Sequence, residues 1–511
     1  MKNISIKYIL GVVALAGGLH ACTNLDEKDK SNYIEGPFPS PSNEQTYQSV
    51  AYQSLSAFKG YIGAYWNICE ASTDEVVVPT RGGDWGDGNK WKDLHLHEWT
   101  ENHAEINGAW EWGYGGISTC NQILYTLEQA PQFKAKGRLM AEVSTMRAFY
   151  YFCMMDAFGN IPIAAKLPTE DPTPETKPVA EVFTFIETAL KAAIDSLSED
   201  VTVATYGLPT KWAAWSMLAK LYLNAGVYTN TNRWDDAIAA CEKVVTSGKY
   251  DITNNFTIIF SPDNGPGNKE VIFAIPFDAQ KATGMDFQMR TLHYASRATF
   301  LIPSNPYNGF CTLEDFYKSF ADPNDQRNKM WLEGPQKDAA GAPLMSDGRQ
   351  VVLTPEIKFN VANPNNPFDV GGSFEGKGMG ARSIKYYPDK NSNGGSGNND
   401  YAFLRYADVL LMEAEAKARK ANVPATALPA INAIRTQRGA APLVALTWDD
   451  LLAERGREMA WEGWRRNDLV RFGKWEGKWG IKTDADVQKR VFPIPRKQLD
   501  LNPKLVQNKG Y

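Results

Sequence analysis

The chain has 511 residues, of which 43% are hydrophobic and 22% charged, and its formal net charge is −5. This composition is typical of a folded globular protein and excludes a disordered or membrane-embedded chain. The length exceeds what one small core can serve, so we expect several subdomains or a repeat architecture. The chain has no excess of basic residues, so its charge does not favour nucleic acid as a partner.

The N-terminus has the pattern of a bacterial lipoprotein signal. Two lysines precede an apolar stretch over Tyr8–Leu19, which is too short to cross a bilayer about 30 Å thick. A small residue followed by cysteine then matches the cleavage site of a lipoprotein signal peptidase. We predict a signal peptide over residues 1–21, lipidation of Cys22 and a flexible tether over residues 22–42. The alternative is a cleaved signal on a freely secreted protein.

Helical periodicity, with apolar residues recurring at three- and four-residue spacing, dominates two parts of the chain. Neighbouring predicted helices with small contact residues are typical of tetratricopeptide-like pairs, although the repeat period is degenerate. The predicted helices are Asn43–Lys59, Ile106–Gln129, Gly137–Phe158, Val179–Leu197, Pro209–Ala225, Arg233–Ser247, Phe403–Lys420, Ala425–Arg438 and Trp448–Phe472.

Two segments rich in Gly, Asn and Pro, residues 76–100 and 251–400, lack helical periodicity. Glu270–Pro276 is predicted to form a strand, with shorter strands at Val351–Leu353 and Ile357–Phe359. Long irregular segments in folded proteins usually carry function. We therefore predict a mainly α fold in which a helical scaffold supports a loop-rich, sparsely β ligand-binding region. The scaffold would comprise residues 43–75, 101–250 and 401–475.

Six of the fifteen tryptophans lie between residues 66 and 112. Tryptophan offers a flat apolar face and an indole N–H donor, and glycine-rich loops allow a ligand to approach the backbone closely, so this cluster predicts a ligand-binding surface. Trp110 and Trp112 fall within a predicted helix and are assigned to the core. Trp85 and Trp99 are expected to face a ligand, and Trp66 and Trp91 could serve either purpose.

Candidate metal ligands are few. His95, His97 and His103 have no accompanying HExxH or cysteine pattern, so we interpret them as hydrogen-bonding or stacking groups. The residues Asp389, Asn391, Asn393, Gly394 and Asp400 match a calcium-loop spacing, with Asp in place of the final Glu, but the segment is low in complexity. We predict no metal and keep this loop as a calcium candidate. Five cysteines beyond Cys22 lack metal or disulfide spacing and are predicted to be free thiols.

Glu454, Glu458 and Glu462 are spaced four residues apart among several arginines. Such carboxylates share one helix face and cannot bracket a glycosidic bond as catalytic pairs do. We predict an Arg/Glu network that locks this helix to its neighbours. No phosphate loop, nucleophile elbow or Cys/His dyad is present. The sequence therefore predicts no catalytic residues, no cofactor and no enzymatic activity.

Motifs along the whole mature chain resemble the SusD/RagB family of outer-membrane nutrient-binding lipoproteins. They occur in a specific order and are Arg147–Phe152, Phe158–Pro162, Leu404–Ala416, Ile431–Arg435, Glu454–Arg471, Pro493–Pro495 and Gln507–Tyr511. The family pattern ends in Gln-Asn-Pro-Gly-Tyr, and Lys509 replaces its proline here.

The resemblance implies four tetratricopeptide-like helix pairs that support a ligand-binding loop face. It also implies a partner, a SusC-like TonB-dependent barrel in the outer membrane that takes up the captured oligosaccharide. The binding residues implied by matching positions are the polar Asp74, Arg81 and Asn102 and the aromatic Trp85, Trp99 and Tyr294, with Phe310 and Trp331 as further candidates.

The expected function is that of a non-enzymatic glycan-binding lipoprotein, anchored to the outer membrane and facing the cell exterior. Two alternatives remain open. A RagB-like relative would capture peptides in an elongated cleft, whereas a sugar platform would be broad and planar. A lipoprotein glycoside hydrolase would need two facing carboxylates, for which Asp74 with Asp84 or Asp87 is the available set.

Overall fold

The computed structural model describes residues 44–167, 171–363 and 366–511. The predicted signal peptide, the tether and Cys22 lie outside these described residues. Within the described ranges, no helix has both the length and the apolar character that a bilayer crossing requires.

Helices make up most of the regular structure. In the first half of the chain they are α1 (Glu44–Ala51), α2 (Gln53–Phe58), α3 (Tyr65–Glu70), α4 (Lys90–Leu96), α5 (Ala104–Gln129), α6 (Lys136–Phe158), α7 (Val179–Ile194), α8 (Lys211–Leu223), α9 (Ala225–Thr229) and α10 (Trp234–Val245). In the second half they are α11 (Phe287–Thr291), α12 (Arg297–Phe300), α13 (Glu314–Lys318), α14 (Phe374–Gly378), α15 (Tyr406–Ala421), α16 (Leu428–Gln437), α17 (Trp448–Met459), α18 (Arg465–Arg471) and α19 (Arg496–Leu501). Short 3-10 helices lie at Lys59–Gly63, Asp87–Asn89, Val203–Thr205, Phe256–Phe260, Tyr294–Ser296, Gln326–Met330, Pro424–Ala427 and Val487–Arg490.

The long helices pack in series, α5 on α6, α6 on α7, α7 on α8 and α8 on α10, and α15 continues the series against α10. The close approach of α5 to α6 explains two glycines in α5. A Cβ at Gly113 would lie 2.0 Å from the Met154 sulfur, and one at Gly116 would lie 2.1 Å from the Tyr150 ring. The predicted helical-repeat scaffold is confirmed.

The strands are short and form antiparallel pairs. They are β1 (Val76–Val77), β2 (Ile161–Pro162), β3 (Thr176–Lys177), β4 (Val271–Ile275), β5 (Cys311–Thr312), β6 (Trp331–Leu332), β7 (Gly334–Pro335), β8 (Met345–Ser346), β9 (Arg349–Gln350), β10 (Val352–Leu353), β11 (Arg382–Ser383) and β12 (Tyr401–Arg405). The pairs are β1 with β5, β2 with β3, β4 with β12, β6 with β11, β7 with β10 and β8 with β9.

The longest pair joins β4 to β12, with Tyr401 opposite Ile275. β4 confirms the strand predicted at Glu270–Pro276, whereas Ile357–Phe359 forms no strand. The prediction that a helix begins at Phe403 is wrong, because that residue belongs to β12. All five residues of β12 are buried, and a short, fully buried apolar run has no periodicity that separates a strand from a helix.

Two helices, α17 and α18, replace the single helix predicted over Trp448–Phe472. In the turn between them, Trp461 and Gly463 have positive φ angles of 64° and 81°, which end the helical path. The Trp461 N–H donates to the carboxylate of Glu75, and the Gly463 N–H donates to Glu70 at 2.5 Å. Burial raises the pKa of Glu75 to about 8 despite this backbone donor. Two buried carboxyl groups thus bind the turn to the end of α3 and to the segment that follows it.

The predicted Arg/Glu network is confirmed at its centre, Glu458. This fully buried carboxylate accepts hydrogen bonds from Arg405, Arg438 and Arg327 at 2.7 to 3.2 Å. Burial alone would raise its pKa, but the guanidinium groups outweigh burial and lower it well below the usual range. Because Arg327 belongs to the loop-rich region, the network joins that region to α17.

The network also includes Glu454 and Glu462, the carboxylates four residues to either side of Glu458. Glu462 accepts from Lys385 at 2.5 Å and from Arg405 at 2.6 Å. Glu454 pairs with Arg327 at 2.8 Å, and the arginines around it hold its pKa at about 2 despite its burial. Lys385 and Arg327 both come from the loop-rich region, so three carboxylates of the scaffold hold two separate loop segments.

We expect the substitution Glu458→Gln to reduce the free energy of unfolding by about 3–5 kcal/mol, because it removes a buried carboxylate charge that three buried guanidinium groups share. Urea denaturation at pH 7 measures this loss. The control, Asp500→Asn, removes one partner of an ion pair with Arg496 in which both side chains are 55% exposed, and it should leave the unfolding midpoint unchanged.

The pH dependence of stability in wild type and Glu458→Gln gives a second check of the network's role. The folded-state pKa of Glu458 lies below its ordinary value of 4.5, so its stabilisation is complete above that pH and is lost as the pH falls. The stability difference between wild type and Glu458→Gln should therefore narrow below pH 4.5. A difference that stays constant with pH, or a loss no larger than that of the control, would contradict the network's role.

Candidate ligand-binding site

A tight turn at residues 81–84 positions the first candidate side chains. Arg81 and Asp84 exchange backbone hydrogen bonds of 2.9 and 3.4 Å around two glycines. Gly82 has a φ of 69°, and a Cβ there would lie 2.9 Å from the backbone nitrogen of Gly372. Only glycine fits both the conformation and the space. The turn therefore holds Asp84 and the following Trp85 at the surface in a fixed position.

Trp85 is half-buried and held from three sides. Its indole N–H donates to the carbonyl of Tyr307 at 2.7 Å. Its ring meets the edge of Phe310 at 5.6 Å between centroids and covers Gly309, where a Cβ would lie 2.3 Å from the ring. The backbone φ of Trp85 is 61°, a strained conformation for a large residue. Strain of this kind is found where a side chain must be held in one orientation.

Tyr294 lies beside Trp85 and is also half-buried. Its hydroxyl donates to the carboxylate of Asp84. Burial, followed by this neighbouring carboxylate, raises the pKa of Tyr294 to about 12, so the hydroxyl stays protonated and able to donate. Tyr307, whose carbonyl holds Trp85, has a side chain that is 49% exposed. We call Trp85, Tyr294 and Tyr307 the aromatic shelf.

A groove of about 540 Å³ borders the aromatic shelf. It runs from Tyr294 along α12 to Met345 in β8, and we call it the shelf groove. Leu301 and Met345, two of its lining side chains, are 62% and 54% exposed. Exposed apolar side chains gathered in one place are typical of ligand-binding surfaces.

Two buried arginines lie beneath the aromatic shelf. Arg81 donates to the carbonyls of Asn308, Gly376 and Met379 at 2.5 to 3.0 Å. Arg382 donates to the Asn308 side chain at 2.8 Å and to several carbonyls of the same loops. Desolvation lowers the pKa of both, that of Arg382 to about 9. The expectation that Arg81 contacts a ligand is wrong for this structure, because its donors are occupied by loop carbonyls.

Three predicted aromatic residues are buried rather than ligand-facing. Trp99 is only 2% exposed, its indole N–H donates to the Tyr511 hydroxyl at 2.7 Å, and its ring packs on Phe492. Phe310 and Trp331 are buried in the main hydrophobic core, which also includes the scaffold helices. None of these rings has a free face for a sugar, so we correct their assignment to packing.

The two remaining polar candidates also lie apart from the aromatic shelf. Asp74 forms a bidentate ion pair with Arg465, with hydrogen bonds of 2.7 and 2.6 Å. Asn102 is exposed in the turn before α5, and its backbone N–H donates to Thr100. Within the described chain, no hydrogen bond joins either residue to the shelf. The structure brings Trp85 and Tyr294 together from the predicted set and adds Tyr307 and Asp84.

The other tryptophans of the cluster serve packing. Trp66, Trp91 and Trp110 are buried, as expected for Trp110, and Trp112 is half-buried against the rings of Phe58 and Tyr150. The indole N–H of Trp91 donates to Asp87 at 2.9 Å. Six tryptophans close in sequence therefore separate into one on the loop face and five in or against the core.

The calcium candidate is a loop closed by its own hydrogen bonds. Asp389 accepts from the N–H of Asn391 at 2.8 Å and from Asn398 at 2.6 Å. Asp400 accepts from the Tyr206 hydroxyl at 2.7 Å, and burial raises its pKa to about 6. The Asn393 amide donates to a glutamine side chain. The carboxylate oxygens of Asp389 and Asp400 thus accept from donors of the protein. No cluster suited to a metal ion occurs within the described residues.

The histidines of the predicted group contribute to the packing of the protein interior. His95 and His97 are buried, and desolvation lowers the pKa of His95 to about 3. The His97 ring stacks on Trp475 at 4.4 Å, and its Nε2 lies 2.8 Å from the Ser72 carbonyl.

A larger cavity, of about 820 Å³, lies elsewhere, beside the Asp74–Arg465 pair. Its aromatic walls have other partners. Lys482 covers a face of Trp479 at 4.0 Å, and Phe359 stacks on Phe368 at 5.4 Å. We favour the aromatic shelf as the ligand site because hydrogen bonds hold Trp85 and Tyr294 in place while all three rings remain partly exposed.

Comparisons with known proteins agree with this architecture. A family model described as the SusD family matches residues 269–511, and a second SusD-like model, described as "Starch-binding associating with outer membrane", matches residues 47–223. The chain belongs to the SusD family. Its identity to the starch-binding protein SusD of Bacteroides thetaiotaomicron is 26% over 501 residues, covering 88% of this chain and 86% of that protein.

Solved structures share the SusD-family fold. The surface glycan-binding protein A of Bacteroides uniformis aligns with a TM-score of 0.73 at 22% identity, covering 91% of this chain and 99% of that one. The corresponding protein of Bacteroides thetaiotaomicron, solved with laminarihexaose, aligns with a TM-score of 0.73 at 20% identity and the same coverage. At these identities the likeness establishes the fold of this SusD-family chain.

We expect Gly309→Ala to destabilise the protein by about 1–3 kcal/mol, because the new methyl group would overlap the Trp85 ring. Chemical denaturation measures this change. The control is Gly83→Ala, where an added Cβ meets nothing within 4 Å, and it should unfold like wild type. Equal stability of wild type and Gly309→Ala would show that Trp85 does not rest on Gly309.

Proposed function

We propose that this protein is a non-enzymatic, surface-exposed lipoprotein that captures oligosaccharides and delivers them to a SusC-like TonB-dependent transporter. The observation that carries the proposal is the aromatic shelf, in which loop-borne rings are fixed by hydrogen bonds and remain partly exposed. Lipidation at Cys22, outer-membrane attachment, outward orientation and the transporter partner are parts of this proposal.

The chemistry of the aromatic shelf suits a sugar. The C–H face of a pyranose packs on flat apolar rings such as Trp85 and Tyr307, and its hydroxyls need nearby polar groups. Asp84, held at the edge by Tyr294, supplies carboxylate acceptors for such hydroxyls. Because Trp85 and Tyr294 are already held in position, ordering them on binding costs little side-chain entropy, and this pre-organisation favours affinity.

The relatives support a glycan over a peptide. One homologous protein is named as starch-binding, and one structural neighbour was solved with laminarihexaose. Three partly exposed rings beside an open groove suit a sugar better than an enclosed cleft lined by backbone groups would. A peptide ligand, the alternative, would depend on such backbone-matching groups.

The same geometry supports a glycoside hydrolase less well than a glycan-binding protein. The three carboxylates considered for it have other partners: Asp74 pairs with Arg465, Asp84 accepts from Tyr294, and Asp87 accepts from Trp91. Burial does raise the pKa of Glu75 to about 8, but its carboxylate is buried against the turn between α17 and α18 and cannot reach a substrate.

Affinity gels with a panel of polysaccharides test the proposal. We expect at least one glycan to retard the wild type, and we expect Trp85→Ala and Tyr294→Ala to bind about tenfold more weakly, because each removes an aromatic contact. The control is Trp215→Ala, which removes a half-buried ring from α8 on the scaffold.

Thermal melts establish that each variant is folded before binding is compared. No retardation of the wild type by any glycan, or unchanged binding by both shelf variants, would contradict the proposal. Release of shortened sugars from a bound glycan would favour the hydrolase.

A further inference from the structure

We infer that the shelf groove recognises an acidic oligosaccharide, one that carries carboxylate or sulfate groups. This inference rests on the proposed glycan-binding function and specifies its ligand class. It is carried by one exposed arginine in the groove together with the two buried arginines beneath the aromatic shelf.

Arg297, at the first position of α12, is the charged residue among the ten that line the shelf groove. It is exposed, and within the described part of the chain its guanidinium takes part in no ion pair or hydrogen bond. Arg349 of the same loop-rich region differs, since it pairs with Glu375 at 2.7 Å and lies 3.9 Å from the centre of the Phe374 ring. The donors of Arg297 remain available to a ligand.

The guanidinium group matches planar anions. Its parallel N–H donors form paired hydrogen bonds with the two oxygens of a carboxylate or a sulfate, and such charge-assisted bonds are stronger than those to neutral hydroxyls. At Arg297 a neutral sugar would replace bound water with its hydroxyl oxygens and would gain no charge interaction. An acidic sugar would gain the charge interaction with the guanidinium as well, so the groove distinguishes acidic from neutral glycans.

The buried arginines extend the positive charge below the surface. Arg81 and Arg382 donate to carbonyl oxygens and to the Asn308 side chain, and neither meets a carboxylate. Carbonyl dipoles stabilise the two cations but leave their net charge in place. His293 precedes Tyr294, with 5.7 Å between their ring centroids, and its pKa responds to the same two arginines. Burial, then Arg382 and Arg81, lower its pKa to about 3.

The nearby acids have donors of their own. Asp84 accepts from Tyr294, Asp347 pairs with Lys377 at 3.3 Å, and Asp369 accepts from the N–H groups of two glycines. Within the described residues, Arg81, Arg297 and Arg382 form no ion pair with a carboxylate, so no acid of the protein occupies the donors of Arg297. The whole chain carries a net charge of −5, but charges farther away than about 8 Å are screened at physiological salt, so the groups beside the groove govern the binding of a charged ligand.

The test compares matched ligands on the purified protein by affinity gel and calorimetry. The panel contains neutral polysaccharides (laminarin, pullulan), carboxylate polysaccharides (polygalacturonate, alginate, glucuronoxylan) and sulfated ones (carrageenan, dextran sulfate), with a chelator present to exclude bridging cations. Any acidic glycan that binds is retested after carboxyl reduction or desulfation, which keeps the chain and removes the charge. Whether a carboxylate or a sulfate glycan binds identifies the source of the acid group.

We expect the neutralised glycan to bind at least about tenfold more weakly than its acidic parent, and Arg297→Gln to lose about the same factor for the acidic form alone. Arg297→Lys should retain part of the affinity. Arg349→Gln, which removes an equal charge from an arginine that already has partners, should bind like wild type.

The outcomes separate this inference from the function on which it rests. Binding of neutral glycans only, equal binding of the neutralised form, unchanged affinity of Arg297→Gln, or an equal loss in Arg349→Gln would overturn the acidic preference and leave glycan capture standing. If no glycan in the panel binds the wild type, glycan capture itself fails, and the inference fails with it.

Discussion

The buried ion network around Glu458 is the constraint on which the remaining structure depends. Among its described residues, the loop-rich region has short two-stranded pairs and no extended sheet that could fix its position. Instead, Arg327 and Lys385 reach from it to the carboxylates of the scaffold, and Arg405 of β12 joins them. Burying ions is costly unless every partner is present. The network therefore favours one relative placement of the loops and the helices.

The same principle operates within the loops. Buried backbone groups need hydrogen-bond partners, and irregular segments cannot supply them to one another as helices and sheets do. Buried ionisable side chains do so here. Arg81 and Arg382 bind carbonyls of two segments, at Asn308 and at residues 376–380, while Glu70 and Glu75 accept from N–H groups of the turn between α17 and α18. The loops beneath the aromatic shelf are held in place because their carbonyls are bound by these two buried arginines.

Local patterns predicted most of the helices because amphipathic periodicity is a property of the sequence itself. Local patterns failed where contacts between distant parts of the chain determine the secondary structure. The break after Met459 depends on Glu70 and Glu75, almost four hundred residues earlier, and the five-residue strand β12 depends on its pairing with β4.

The candidate site divides in the same way. Trp85, predicted from its glycine-rich context to face a ligand, lies half-buried on the loop face, and Tyr294 lies near it through Asp84. Nothing local distinguishes Trp85 from Trp99, which is covered by Tyr511 at the far end of the chain. Tyr307 was not predicted, because its exposure follows from the loop path and no motif surrounds it. Arg81 has the residue type of a ligand contact, but its role as a carbonyl donor is visible only in three dimensions.

A crystal structure of the protein with a bound oligosaccharide from the glycan panel tests the central claim most directly. The account predicts a sugar ring packed on Trp85 and Tyr307 within about 4 Å, with hydroxyls bonded to Asp84. A sugar bound in the cavity beside Asp74 and Arg465, with the aromatic shelf empty, would contradict it.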